Sequence, residues 1–317
     1  MSNTMSNTIS KSKAKRFFSQ PWAIIRPILR TPVAKILTDE QYAKALYYAN
    51  FGKKLNLNNP VTYNQKLMWR KLYDHNPLYH IMVDKYAVRE FVADLIGEQY
   101  LIPILGIWDT FDRIDFDGLP EQFVLKCNHD SGGVYICRDK AEIDDKKRKE
   151  LRVFFDAHMK VDYYKHSREW AYKDIKRRII AEKYMVDESG VELKDYKIFA
   201  FDGEPFLIQV DYDRFVGHKR NLYTTNWEYI NESIKYPTDP EHIIPRPERL
   251  DEMLDLSARL SKGFMHIRTD FYNINGKIYF GELTLYHGGG TEKFTSYKLA
   301  VEMGKRMNLD LAYKGLE

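Results

Sequence analysis

The chain has little of what would mark a secreted or membrane-spanning protein. Among its 317 residues there are only two cysteines, too few for a disulfide framework or a four-ligand zinc site. It contains no run of 18 apolar residues, so we expect no transmembrane helix. Residues 1–10 are polar, so we also expect no signal peptide. Together these absences predict a folded protein of the reducing cytoplasm.

Acidic residues are missing from the first 38 positions, which carry seven lysines and arginines. Because the whole chain has a net charge of only +4, the remainder is mildly acidic, and the basic excess does not predict nucleic-acid binding. Apolar side chains are interleaved with the cations in this N-terminal arm, residues 1–36, and such a mixture suits an anionic membrane surface. The alternative is a tail whose apolar residues pack on the folded body.

Helical and strand patterns are mixed along the rest of the chain, which predicts an α+β fold with mixed and antiparallel sheets. Thr38 and Gly52 bound a predicted helix, because Thr is a good N-cap and Gly a good helix terminator. The dipeptides Asp202-Gly203 and Asn275-Gly276 each stand between two strand patterns and predict β-hairpins.

The hairpin around Asn275-Gly276 carries candidate metal ligands. Asp270 lies on its first arm, and Glu282 and Thr284 lie on its second. Carboxylate and hydroxyl oxygens are ligands that Mg²⁺ takes together with nucleotide phosphates. The alternative is a structural role, as ordinary hairpin acids or as buried acids with a partner.

The register of this hairpin decides whether the two acids meet. Side chains alternate along a strand, so Asp270 and Glu282 share a face only if cross-strand positions sum to an even number. A two-residue turn gives an odd sum, whereas a three-residue loop gives an even one. We therefore predict a three-residue loop with a positive φ at Gly276, and Arg268, Phe280 and Thr284 on the same face as the acids, in one wall of the main cleft. A bulge further along either arm is a second route to the same shared face.

Two further segments are candidates for nucleotide binding. Lys126 ends an apolar strand and is followed by the small-residue loop Ser131, Gly132 and Gly133, whose backbone N–H groups suit phosphate oxygens. A second apolar strand leads into residues 182–185, where backbone groups are placed to bond an adenine edge. A solvated lysine at a hairpin and an ordinary strand end remain the alternatives.

Taken in order, these motifs resemble the ATP-grasp superfamily, first the D-alanine–D-alanine ligases and then the teichuronopeptide-biosynthesis (TupA-like) branch found in polysaccharide loci. The resemblance covers roughly residues 37–297 and is most specific in "RTDFYNINGKIYFGELT". It implies two α+β subdomains that hold ATP between them, behind a small helical N-terminal lobe. The implied segments are the arm at 1–36, the lobe at 37–118, and the subdomains at 119–186 and 187–317.

The resemblance also implies roles for individual residues. Asp270, Glu282 and Thr284 would bind Mg²⁺, and Arg268 would stabilise the oxyanion during amide formation. ATP would be held by phosphate, adenine and ribose contacts from Lys85, Lys126, Ser131, Gly132, Gly133, Glu182, Lys183, Tyr184, Met185 and Asp195. The substrate carboxylate would meet the backbone of Gly288, Gly289 and Gly290.

The implied activity is an ATP-dependent carboxylate–amine ligase that forms an acyl phosphate, with a saccharide uronic acid and an amino acid as substrates in capsule or O-antigen assembly. Two departures from the superfamily pattern stand out: Thr284 occupies a position where Asn is usual, and the loop around 131–133 is short.

Three other functions compete with the ligase. A glycosyltransferase of polysaccharide assembly also uses acids and a metal, but the sequence lacks a convincing Asp-x-Asp at a strand end, where "DYD" at 211–213 is the only candidate. A sugar or protein kinase shares a strand lysine and metal acids, but His-Arg-Asp and Asp-Phe-Gly motifs are missing. A non-catalytic scaffold at the membrane surface would use the arm alone.

Overall fold

The computed structural model describes residues 21–186, 194–212 and 217–313. The α-helices are α1 (Ile25–Ile28), α2 (Asp39–Phe51), α3 (Tyr63–Tyr73), α4 (Leu78–Val83), α5 (Val88–Ile96), α6 (Asp145–Lys160), α7 (Tyr163–Ser167), α8 (Leu250–Ser261) and α9 (Tyr297–Arg306). The strands are β1 (Ile104–Trp108), β2 (Phe123–Cys127), β3 (Val134–Cys137), β4 (Ile179–Lys183), β5 (Asp195–Phe201), β6 (Glu204–Tyr212), β7 (Lys219–Tyr223), β8 (Tyr229–Ile230), β9 (Ile267–Ile274) and β10 (Lys277–Thr284). In these ranges, no helix is long and apolar enough to cross a bilayer.

Local signals place the first helices as predicted. The Thr38 hydroxyl oxygen accepts a hydrogen bond from the Gln41 N–H, and the Thr38 backbone N–H donates to the Gln41 side-chain oxygen, so a capping box starts α2. Gly52 ends the same helix with a φ of 66°, a left-handed conformation that glycine adopts without steric cost. Thr62 and Gln65 form a second capping box at α3.

The smaller sheet has four strands in the order β1-β4-β2-β3, and every neighbouring pair is antiparallel. Phe123 and Leu125 of β2 point to one face, where they pack in a cluster with Phe155 of α6. Because side chains alternate along a strand, Val124 and Lys126 point to the opposite face, which is the wall of a cleft.

The larger sheet has six strands in the order β10-β9-β5-β6-β7-β8, again antiparallel throughout, so the named strands form antiparallel rather than mixed sheets. Both faces of its central strand β5 are covered. Ile198 packs in the cluster formed with α5 and α8, whereas Phe199 packs in the cluster formed with α3 and α9. β5 is therefore buried along its whole length.

Helix α3 ties the start of the chain to its end. The guanidinium of Arg70 is fully buried and donates to the carbonyls of His266, at 2.6 Å, and Leu285, at 3.0 Å. The Asn64 amide donates to the carbonyls of Gly290, at 3.1 Å, and Glu292, at 2.9 Å. These bonds hold the segment that follows β10 against an N-terminal helix.

The segment 37–118 divides its contacts between the two sheets. Its strand β1 pairs with β4 of the smaller sheet, while its helices α3, α4 and α5 pack on the larger one. The predicted lobe thus has no sheet of its own and bridges the two others. The segment boundaries at 118 and 186 stay predictions.

Candidate functional site

Asp270 and Glu282 of the β9–β10 hairpin are brought to one face in a different way from the one predicted. Asn275 and Gly276 make a simple two-residue turn, with Ile274 paired to Lys277, so the prediction of a three-residue loop was wrong. A bulge between Phe280 and Glu282 then shifts the register, and Glu282 pairs directly with Asp270. The two acids therefore share one face, and the positive φ of Gly276, 74°, is confirmed.

Gly281 is the residue that makes this bulge feasible. A Cβ at this position would lie 3.1 Å from the carbonyl oxygen of Asp270, tighter than most real contacts. The bulge also places Phe280 and Glu282, the residues on either side of it, on opposite faces of the hairpin. Phe280 pairs with Phe271 and packs in the core instead of lining the cleft beside Glu282, so that part of the prediction was wrong.

Arg268 gathers the acids around one guanidinium. Its Nε and Nη2 donate to the two oxygens of Asp270 at 2.6 and 2.8 Å, and Nη2 also donates to Glu282 Oε1 at 2.9 Å. Its Nη1 lies 2.8 Å from Nδ1 of His287. Thr284 pairs with Arg268 across the strands, and its hydroxyl donates to Glu282 Oε1 at 3.2 Å.

Lys197 completes this cluster and is a residue that the sequence analysis missed. It lies opposite Asp270 on the neighbouring strand, its ammonium bonds Asp270, and it reaches Asp195 at 3.0 Å. A polar row therefore crosses three strands from Lys197 through Asp270 to Glu282. The sequence did carry a signal for Lys197, because Asp195 and Lys197 are two residues apart on one strand and must share a face.

The charges in this row shift each other's proton affinities. Burial raises the pKa of Asp270, and Arg268 and Lys197 offset only part of that rise. Burial acts the same way on Glu282, but there Arg268 and Lys197 outweigh it, so the pKa of Glu282 falls below its usual range. Burial lowers the pKa of Lys197, yet Asp195 and Asp270 raise it more. Glu282 is thus the acid that keeps its negative charge most readily.

Two lysines face the row from the other side of the cleft. The Lys85 ammonium bonds the backbone carbonyl of Asp130, and burial lowers its pKa despite the nearby Glu282 and Asp130. The Lys126 ammonium pairs with the Glu182 carboxylate across β2 and β4. Both lysines are therefore held by protein oxygens on the side of the cleft formed by the smaller sheet.

The cleft between the sheets is a cavity of about 420 Å³. It brings together most of the predicted nucleotide and metal residues with apolar side chains that suit an adenine ring. Its walls include Lys85, Ile102, Val124, Lys126, Glu182, Lys183, Tyr184, Met185, Asp195, Lys197, Asp270 and Glu282.

Two predicted glycine segments lie outside this cavity wall. Ser131, Gly132 and Gly133 form the connection between β2 and β3, closed by a 2.7 Å bond from the Cys127 N–H to the Gly133 carbonyl. The other segment, Gly288–Gly290, directly follows His287 in the chain. Because His287 contacts Arg268, and Arg268 contacts the acids of the cleft, the glycines are connected to the cleft only indirectly. The carbonyl of Gly289 accepts a 2.8 Å bond from the buried Lys71.

The oxygen donors at Asp270, Glu282 and Thr284 fit a hard cation such as Mg²⁺. The Glu282 side chain is 46% exposed to the cleft, and only its Oε1 hydrogen-bonds to residues that the structure describes, which leaves Oε2 directed at solvent. Within those same residues, three or more His, Cys, Asp or Glu side chains never cluster as a metal site of their own. Oxygen atoms of a bound phosphate would have to complete the coordination.

Some predicted positions fall outside the described residues. These are Asp213 of the Asp-x-Asp candidate and residues 1–20 of the arm.

Solved structures with a similar fold include D-alanine–D-alanine ligase from Bacillus anthracis complexed with ATP. It is 17% identical, with a TM-score of 0.45 over 76% of this chain and 68% of that one. The ATP-grasp ligase PsnB with minimal precursor, Mg and ADP is 11% identical, with a TM-score of 0.41 over 77% and 66%. D-cycloserine synthetase DcsG is 13% identical, with a TM-score of 0.40 over 74% and 72%.

The chain spans 60% of another structure of the Bacillus anthracis ligase and 59% of the Helicobacter pylori one. No curated protein matches its sequence. Residues 65–308, well over half of the chain, match the family described as TupA-like ATPgrasp. With the two antiparallel sheets and the cleft between them, this match establishes that the chain belongs to the TupA-like ATP-grasp family and has the ATP-grasp fold.

Proposed function

We propose that the protein is an ATP-dependent ligase that joins a carboxylate to an amine through an acyl phosphate and releases ADP. The observation that carries this proposal is the meeting of two charge sets in one cleft. Lys85 and Lys126 of one wall suit the phosphates of ATP, and Asp270 and Glu282 of the other suit a metal bound to those phosphates.

In this mechanism a substrate carboxylate oxygen attacks the γ-phosphorus of ATP, the bond to the β–γ bridging oxygen breaks, and ADP leaves. An amine then attacks the acyl carbon and loses a proton, and phosphate departs with the carboxylate oxygen. Mg²⁺, held by Asp270 and Glu282 with Thr284 beside them, would neutralise charge on the phosphate oxygens.

The chain's own residues divide the remaining work. Lys85 and Lys126 bind phosphate oxygens as point charges. Backbone groups of residues 182–185 face the adenine, and Asp195 faces the ribose. Arg268 stabilises the oxyanion of the tetrahedral intermediate, because a fixed cation acts most strongly in a site that excludes water.

For the substrates we propose a uronic acid carboxyl group of a surface polysaccharide precursor and an amino acid, in the assembly of capsule or O-antigen. This assignment follows the family by analogy. A cytoplasmic location fits the absence of a disulfide framework.

The experiment is an ADP-release assay with D-glucuronate or D-galacturonate, each tested with the twenty amino acids. A ligase will release ADP and phosphate in equal amounts only when both substrates are present, and with ¹⁸O in the carboxylate one ¹⁸O will appear in the phosphate. ADP release without phosphate would indicate a sugar kinase, and nucleotide-sugar turnover without ADP would indicate a glycosyltransferase.

We also propose that the arm contacts an anionic membrane surface. Its described part, residues 21–36, packs on α2 through Leu29 and Ala34, as the tail alternative requires, but other apolar residues point outward. Those exposed side chains, at fractions of 50, 51, 59 and 81%, are Ile24, Ile28, Val33 and Ile36. Together with Arg30 and Lys35, they form a mixture of cations and apolar groups that suits lipid headgroups, whereas Arg26 donates from Nε to the Ala49 carbonyl at 3.2 Å.

Replacing the four exposed apolar residues of the arm with Asn will weaken binding to phosphatidylserine vesicles and spare ligase turnover. The wild type will bind in low salt and dissociate in high salt, because screening weakens attraction between exposed charges. Vesicle sedimentation measures this. Asn at Val153 and Ile243, exposed apolar residues far from the arm in sequence, is the control. Equal sedimentation of both variants would leave the arm a tail.

A further inference from the structure

His287 contacts the one nitrogen of Arg268 that Asp270 and Glu282 do not hold. A guanidinium has five N–H groups, and contacts within the described residues use four of them, three on Asp270 and Glu282 and one on His287. The donor that remains is the second N–H of Nη1, the nitrogen that His287 holds. Because a guanidinium is planar, Asp270 and Glu282 set its plane through Nε and Nη2, and His287 restrains it at Nη1.

Only one state of His287 fits this contact. An arginine donates and never accepts, so Nδ1 of His287 must be the unprotonated acceptor and Nε2 must carry the proton. Nε2 lies 3.0 Å from Oε2 of Glu292. Burial lowers the pKa of His287 to about 4, although Glu292 opposes this, so the ring is neutral near pH 7. Glu292 is fixed in turn by Arg220 at 2.7 Å and Lys235 at 3.0 Å.

The same pair encloses the glycine segment. Gly288, Gly289 and Gly290 lie between His287 and Glu292 in the chain, with φ values of 54, 60 and 73°. A Cβ on Gly288 would lie 2.1 Å from Cγ of Glu292, so the backbone curls closely around that side chain. One carboxylate thus lies against both the imidazole and the three-glycine turn, although the imidazole contact is not aligned as a hydrogen bond.

We propose that His287 is a positioning residue for amide formation. Through Nδ1 it restrains the nitrogen that carries the remaining N–H of Arg268, and its contact with Glu292 links that nitrogen to the backbone of Gly288–Gly290. The inference rests on the proposed roles of Arg268 and the glycine turn, and His287 itself touches no substrate.

Three substitutions separate the hydrogen bond from the bulk of the ring. His287→Asn keeps an acceptor at the place of Nδ1, His287→Gln shifts its polar atoms to the place of Nε2, and His287→Leu removes both. With ATP, D-glucuronate and a mixture of the twenty amino acids, we expect Leu and Gln to lower kcat about 10- to 100-fold, as a misaimed catalytic group does. Asn should stay within about fivefold, and the KM for ATP should be unchanged in all three.

Two NMR measurements test the same geometry without turnover. In protein labelled with ¹⁵N-histidine, His287, assigned by its loss in His287→Asn, should show the tautomer protonated at Nε2. In protein labelled with ¹⁵N-arginine, the Nη1 resonance of Arg268 should shift in His287→Leu and His287→Gln and stay near its place in His287→Asn. Urea unfolding checks that each variant folds, and if Leu does not, the comparison of Gln with Asn decides.

A His287 protonated at Nδ1 would overturn the proposal whatever the activity. Equal kcat losses for Asn and Leu, or an Arg268 resonance that ignores all three substitutions, would also overturn it. If no substrate pair turns over, the ligase proposal fails while the NMR results still decide the role of His287.

Discussion

Glu282→Gln will lower ligase turnover by about a hundredfold to a thousandfold, and the protein will stay folded. The substitution keeps the size of the side chain but removes the charge with which Glu282 would hold a metal on the phosphates. Each factor of ten in rate corresponds to about 1.4 kcal/mol of transition-state stabilisation, and a bound metal supplies several kcal/mol. Steady-state turnover at saturating Mg²⁺ and ATP measures the effect.

Glu282 is a cleaner test of the metal site than Asp270, because its side chain is less buried. Asp270 is buried and contacts both Arg268 and Lys197, so Asp270→Asn removes a buried charge from two cations, a change that typically costs about 3–5 kcal/mol of stability. Its activity loss should be as large, but it must be read beside an unfolding curve. The Glu282 side chain is 46% exposed and, among the described residues, contacts one cation, Arg268, so its neutralisation should cost less stability than that of Asp270.

The matched control is Glu302→Gln. Glu302 is also 46% exposed and also pairs with an arginine, Arg306, but it lies on helix α9, outside the cleft. We expect wild-type turnover from this variant. Full activity in Glu282→Gln would refute the shared metal site, and equal losses in Glu282→Gln and Glu302→Gln would indicate a general effect of charge.

The second large effect is on nucleotide affinity. Lys126→Ala will raise the Kd for ATP about tenfold to a hundredfold, because it removes a partly buried cation from the phosphate side of the cleft and leaves Glu182 without its partner. Met185→Leu should leave the Kd unchanged, since the proposed adenine contact is made by the backbone. Isothermal titration calorimetry measures both.

Two further variants help to interpret a loss of ATP affinity in Lys126→Ala. Lys219 is also a strand lysine paired with an acid, Asp239, and Lys219→Ala should bind ATP normally. Adding Glu182→Gln to Lys126→Ala tests whether the carboxylate that loses its partner repels the phosphates, and recovery would assign that share of the loss to repulsion. An unchanged Kd in Lys126→Ala would make the lysine a structural partner of Glu182.

The sequence predicted the shared face of Asp270 and Glu282 but not the way it arises. A three-residue loop and a bulge both give an even register sum, so the requirement that the acids meet cannot distinguish them. The Asn-Gly dipeptide favoured the two-residue turn that is found, and Gly281, a lone glycine within a strand pattern, was the signal for the bulge. Phe280 faces the core because it precedes that bulge.

Contacts between distant segments were beyond sequence reasoning. His287 and Arg268 meet only because β9 and β10 pair, and the packing of α3 on the segment after β10 has no local signature. Lys197 could have been predicted in part, because its spacing from Asp195 fixes the face on which it lies. Its burial could not, because the strand is otherwise rich in apolar residues and gives no sign of a buried cation.

The bonds between α3 and the end of the larger sheet have a consequence for synthesis. Arg70 and Asn64 find their carbonyl partners 196 to 228 residues later in the chain. Since a nascent chain grows at about 5–20 residues per second, α3 waits on the order of ten seconds or more before its buried guanidinium can be satisfied. The N-terminal third therefore cannot complete its core while the ribosome is still translating β9 and β10, and these contacts form only after residues 266–292 have emerged.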